Sequence, residues 1–79
     1  IEDKVHMVFK NLEAIAKEAG TNLDNAVKTT VFLADIGNFQ AVNKVYAQYF
    51  KAPYPARSAF QVAALPLGAD LEVEAIFQL

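Results

Sequence analysis

The chain has 79 residues, no cysteine, no tryptophan and a single histidine. That limits it to one domain and excludes a disulfide scaffold, a thiol nucleophile and the usual zinc ligand sets, so no metal site is expected. A net charge of −2 argues against a nucleic-acid module held by charge alone, and the longest apolar run falls far short of the roughly 20 residues a membrane helix needs.

Val5, Val8, Phe9, Leu12, Ile15, Ala16 and Ala19 recur at three- and four-residue spacing and predict an amphipathic first helix, with Lys4, Lys10, Glu13, Lys17 and Glu18 on its wet face. Gly20 supplies a left-handed stop, and residues 21–25 form a polar turn. The run from Ala26 to Ala34 is β-branched and apolar on both parities, which predicts a strand covered on both faces. Asp35 and Asn38 are N-cap candidates for a second helix from about Asn38 to Phe50, with Phe39, Val42, Tyr46, Tyr49 and Phe50 as its stripe. Pro53 and Pro55 end it. Residues 56–64 and 71–79 alternate in polarity, and the Pro- and Gly-containing loop between them predicts an antiparallel hairpin. The order α-β-α-β-β predicts an α+β fold, with two helices on one face of a mixed sheet. At 54% hydrophobic and 20% charged, the chain is apolar for its size, and an oligomer interface is the simplest place for the excess.

A hairpin centred on its loop puts Phe60, Val62, Val73, Ala75 and Phe77 under the helices. It puts Arg57, Ala59, Gln61, Glu72, Glu74 and Ile76 on the other face. The only arginine of the chain then shares a face with two carboxylates. Such faces are ordinarily solvated. With small Ala59 leaving room beside it, this one is also a candidate anion site, because a guanidinium fork holds both oxygens of a carboxylate. Asn43 borders the apolar stripe of the second helix, four residues after Phe39 and three before Tyr46. It is either a buried amide bonded to nearby backbone or a brace for the start of the Arg57 strand. His6 stands alone near a helix end, Ser58 has no evident base and falls on the helix side, and the lysines are dispersed. The 3 glycines are isolated, so no phosphate-cradling loop is present.

The run Pro55-Ala56-Arg57-Ser58, then Val62-Ala63-Ala64-Leu65-Pro66 and Val73-Glu74-Ala75-Ile76, resembles the C-terminal signature of the RidA/YjgF family of enamine/imine deaminases. Asn11-Leu12, Val31-Phe32-Leu33-Ala34-Asp35-Ile36 and Val42-Asn43-Lys44-Val45-Tyr46 fit the same family in the same order. The resemblance covers essentially the whole chain. It implies that residues 1–79 belong to a single chorismate-mutase-like α+β domain that forms a homotrimer with ligand pockets between subunits. It implies cofactor-free hydrolysis of 2-iminobutanoate and 2-iminopropanoate, the products of pyridoxal-phosphate-dependent dehydratases, to 2-oxoacids and ammonia, in the cytoplasm or the mitochondrion. By position, Arg57 would anchor the substrate carboxylate, Glu74 would serve as the second catalytic residue, and Asn43 and Ala59 would contribute to substrate binding.

Two departures from the family pattern stand out. Ala59 occupies a position where many members carry cysteine, which weakens only a thiol-based mechanism. The family's N-terminal strand hairpin, which brings a tyrosine and a serine-glycine segment to the pocket, is not among residues 1–79. Two other functions compete: an RNA-binding or ribonuclease translation inhibitor, as some relatives are described, and a non-catalytic trimer that binds small carboxylates. The acidic balance, the scattered lysines and the lack of a histidine pair argue against RNA. Turnover of dehydratase-generated imine would separate the enzyme from the binder.

Overall fold

A computed structural model describes every residue from Ile1 to Leu79. The first helix, α1, spans Glu2–Glu18 and buries Val5, Phe9 and Ala16. Gly20, at φ 83°, ends it: the Thr21 N–H donates to the Ala16 carbonyl at 2.9 Å and the Gly20 N–H to that of Lys17 at 3.0 Å. These bonds satisfy two carbonyls the helix leaves open. A 3-10 turn (Leu23–Asn25) leads into β1 (Ala26–Leu33), and a second (Ile36–Asn38) leads into α2 (Phe39–Tyr49). Asp35 Oδ1 accepts from the Gly37 N–H at 2.8 Å, so Asp35 caps the 3-10 turn. Asn38 occupies the N-cap of α2 without a side-chain bond. The chain closes with β2 (Ala56–Gln61), a third 3-10 turn (Pro66–Gly68) and β3 (Leu71–Phe77). In that last turn Leu67 adopts φ 59° and is fully exposed.

Both helices pack on one face of a mixed three-stranded sheet of order β2-β1-β3, an α+β architecture of the chorismate-mutase-like kind. The core gathers Val5 and Phe9 from α1, Val42, Val45 and Tyr46 from α2, Phe50, and Val31, Leu33 and Leu71 from the sheet. Phe9 sits edge-on to Tyr46 at 5.7 Å and to Phe50 at 5.8 Å. Each large side chain so buried contributes about 1.5–3 kcal/mol.

The predicted hairpin does not form. β2 and β3 do not pair; they flank β1, which runs parallel to β2 and antiparallel to β3. The parallel pair needs a crossover, and α2 supplies it. The loop after β2 instead straddles the end of β1, where the Val62 N–H donates to the Leu33 carbonyl at 2.9 Å and the Ala34 N–H to that of Asp70 at 3.0 Å.

This arrangement corrects the predicted faces. Residues in register across a sheet project to one side. Arg57 is in register with Thr29, and Thr29 with Ala75; Ala59 with Val31, and Val31 with Val73. Arg57, Ala59 and Gln61 therefore face the helices, and Ser58 and Phe60 face away. The parity of β3 is as expected, with Val73, Ala75 and Phe77 helix-side and Glu72, Glu74 and Ile76 opposite. Without hairpin pairing, nothing carries the phase of β3 across to β2. β1 is central but covered on one face only. Its other side joins an open surface on which Phe32 stacks on Phe60 at 6.4 Å, with Phe60 52% and Ile76 60% exposed.

Candidate functional site

Arg57 begins β2 on the helix side and reaches across to α2. Its guanidinium lies over the Tyr46 ring at 4.7 Å from the centroid and over the Phe39 ring at 5.3 Å. Its Nη1 donates to Asn43 Oδ1. Phe39, Asn43 and Tyr46 are four and three residues apart, so a helix presents all three on one side. The ion pairs of the chain are Lys4–Asp70 and Lys44–Glu2; no carboxylate neutralises Arg57. An exposed cation held by a neutral amide and two ring faces keeps free N–H groups and an uncompensated charge. That combination suits a planar anion.

Two cavities meet at this arginine. One, of about 470 Å³, is lined by Asn43, Tyr46, Ala47, Tyr54, Pro55 and Arg57. The other, of about 670 Å³, is lined by Ile36, Gly37, Phe39, Gln40, Arg57 and Ala59. Gln61 Oε1 accepts from the Ile36 N–H at 2.8 Å and so ties the 3-10 turn that walls the second cavity to the end of β2. Both spaces could take a small organic acid whose carboxylate docks on Arg57 and whose substituent lies against apolar wall.

Glu74 is elsewhere. It is in register with Thr30, and Thr30 with Ser58, so the three form a polar row on the open face, one rank from Arg57 and on the opposite side of the sheet. A shallow cavity of about 230 Å³, lined by Lys28, Thr30, Glu74, Ala75 and Ile76, marks the place. The sequence-derived shared face of Arg57 and Glu74 is thus corrected: two strand spacings, roughly 10 Å, and the sheet itself separate them within one chain.

The structure brings together Arg57, Asn43 and Ala59. Asn43 is exposed and bonded to Arg57 instead of to nearby backbone. Phe39 and Tyr46 read in the sequence as core stripe, and Tyr54 and Ile36, which line the two cavities, carried no site signal of their own. The available signal for the rings was their spacing around Asn43. His6 is not part of the site: its Nδ1 lies 3.1 Å from the Tyr49 hydroxyl.

Comparisons with known proteins agree in direction. Residues 1–78 match the family model described as endoribonuclease L-PSP. The chain is 51% identical over 79 residues to the chloroplastic Reactive Intermediate Deaminase A of Arabidopsis thaliana, covering 100% of this chain and 42% of that protein. It is 50% identical over 76 residues to the human 2-iminobutanoate/2-iminopropanoate deaminase, covering 96% and 56% respectively. A crystal structure of RidA from the Antarctic bacterium Psychrobacter superposes with a TM-score of 0.96 at 40% identity, covering 100% of this chain and 64% of that one. The chain thus spans about half the length of these curated relatives. No helix is long and apolar enough to cross a membrane.

Proposed function

The chain belongs to the RidA/YjgF family, whose family model carries the description endoribonuclease L-PSP, and from that premise we propose that its protein hydrolyses 2-iminobutanoate and 2-iminopropanoate to 2-oxoacids and ammonia. The observation that carries the reading is Arg57: a guanidinium without an acidic partner, fixed by Asn43 and two rings where two cavities meet. Two relatives named as imine or reactive-intermediate deaminases, near 50% identity, support it.

The chemistry asks little of the protein. An α-imino acid carries its carboxylate next to the electrophilic C=N carbon, so an anchored carboxylate orients that carbon. Water adds to the carbon, the C–N bond of the resulting carbinolamine breaks, and both protons of the water end on nitrogen, which leaves as ammonia. Arg57 takes the carboxylate, Ala59 lines the pocket beside it, and Asn43 holds the guanidinium. Glu74 is the proposed base that holds the attacking water and returns a proton to nitrogen. Because Glu74 and Arg57 of one chain face opposite ways, the proposed site pairs Arg57 of one subunit with Glu74 of a second copy. A homotrimer with pockets between subunits satisfies this, and the open face around Phe32, Phe60 and Ile76 is the apolar surface it would cover.

The test is imine hydrolysis by the full-length protein, with the imine supplied by a dehydratase. Arg57→Ala should remove activity while circular dichroism shows the fold kept. Arg57→Lys should also be poor, since an ammonium supplies charge without the fork. Loss of a charge-assisted paired contact costs about 2–3 kcal/mol, roughly 30- to 150-fold. Near-normal turnover in a folded Arg57→Ala protein overturns the reading. If wild type instead cleaves RNA with a steep salt dependence and leaves imines alone, the ribonuclease reading replaces it.

A further inference from the structure

Thr29 is the one buried polar residue of the chain, and its hydroxyl lies 2.9 Å from that of Tyr46, also buried. This pair is tied to Arg57 in two ways. Thr29 is the register partner of Arg57 on the parallel ladder, and Tyr46 offers its ring face to the guanidinium. The ring is held on its other sides as well, stacked on Phe50 at 4.5 Å and edge-on to Phe9. Phe39, the other ring under the guanidinium, is only partly buried and has no hydroxyl tether. One hydroxyl pair therefore fixes the distance between α2 and the sheet at the rank from which Arg57 departs. A buried hydroxyl cannot drift from its partner without leaving both unsatisfied.

We propose that Tyr46, pinned through its hydroxyl by Thr29, is a positioning residue for anion binding: it holds the Arg57 guanidinium in the orientation in which its free N–H groups meet a carboxylate. The inference rests on the reading of Arg57 as carboxylate receptor and extends it to residues that act through Arg57. Its physical content is preorganisation. A free arginine side chain must be ordered when the anion arrives, and one already seated on a fixed ring is not.

The experiment uses the full-length protein and 2-oxobutanoate, the stable product, as probe. Two quantities are measured: its dissociation constant, and the order of the Arg57 side-chain Nε–H by NMR, with Arg57→Lys identifying the signal. The variants are Tyr46→Met, which fills the space without a ring, and the double variant Thr29→Val with Tyr46→Phe, which removes both hydroxyls and leaves no buried group unpaired. The expected result is a mobile Arg57 Nε–H in Tyr46→Met and affinity weaker by roughly three- to tenfold. The double variant should keep its thermal midpoint and still lose part of both. A role confined to stability would leave Nε–H order and affinity unchanged in that double variant, and this overturns the inference. If Tyr46→Met does not fold, the double variant decides alone. If wild type does not bind 2-oxobutanoate, or Arg57→Ala binds it equally well, the carboxylate reading fails instead. The Nε–H measurement then still decides whether Tyr46 and Thr29 hold Arg57.

Discussion

Arg57 and Glu74 stand one rank apart in the sheet and on opposite faces of it. No side-chain rotation brings both to one small ligand, so a site that uses both draws them from two subunits. Arg57→Ala and Glu74→Gln, each inactive alone, should therefore complement. Unfolding and refolding the two variants together should restore imine hydrolysis, because some mixed pockets receive Arg57 from one chain and Glu74 from the other. A mixture as inactive as its components would show that the two residues do not share a pocket.

Asn43 holds Arg57 without neutralising it, which makes the sign of two substitutions differ. Asn43→Ala frees the guanidinium and should raise KM several-fold. Asn43→Asp supplies a carboxylate at hydrogen-bond range, which competes with the substrate for the same fork. It should raise KM further than Asn43→Ala while keeping or increasing the thermal midpoint. Steady-state kinetics and thermal melts of both variants check this.

Lys4 holds the Asp70 carboxyl below its ordinary value of 3.8, first by its hydrogen bond and then by its charge. A carboxylate depressed in the folded state contributes stability that is fully present well above its unfolded pKa and is lost as pH falls through the folded one. Wild type should exceed Asp70→Asn in stability at neutral pH, and the two should converge as pH falls from there through the folded-state value, which lies below 3.8. Both side chains are exposed, so the difference should be small and should shrink in salt. Denaturant midpoints across that pH range measure it.

Phe9 is fully buried among Tyr46, Tyr49 and Phe50. Phe9→Ala should destabilise by about 3–5 kcal/mol, a large part of the stability of a small domain. A loss under 1 kcal/mol by denaturant unfolding would mean that the cluster repacks around the gap.

Phe60 stacks on Phe32 on the open face. Under the trimer reading, Phe60→Lys should lower the assembly state seen by light scattering and leave the helix-side core of each subunit intact. An unchanged assembly would place the subunit contact elsewhere.

Much of this was legible in the sequence, and most of the part that was not has one cause. Both helices and all three strands follow from periodicity and breakers. The Gly20 stop and the Asp35 cap are short-range features that a few residues specify. The pairing of β2 is not local. Alternation in residues 56–64 gives two faces but not which one the helices cover, and the loop to β3 favours a hairpin as readily as a connection across the end of β1. The face of Arg57 hinged on that choice. Asn43 survived the error because its relation to Arg57 runs through α2 and β2, whatever β3 does. Tyr46 was visible as an apolar residue, and nothing in a single sequence says that its hydroxyl meets Thr29.

The corner before β3 has a practical use. Leu67 bends left-handed there with its side chain wholly in solvent, a shape that costs a branched residue about 1–2 kcal/mol. It lines neither cavity at Arg57 and belongs to no part of the core. Asparagine or glycine would turn the same corner with less strain. Within the single chain this spot is open to change, and a dye or affinity handle attached there is expected to leave both cavities and the helix-side core as they are.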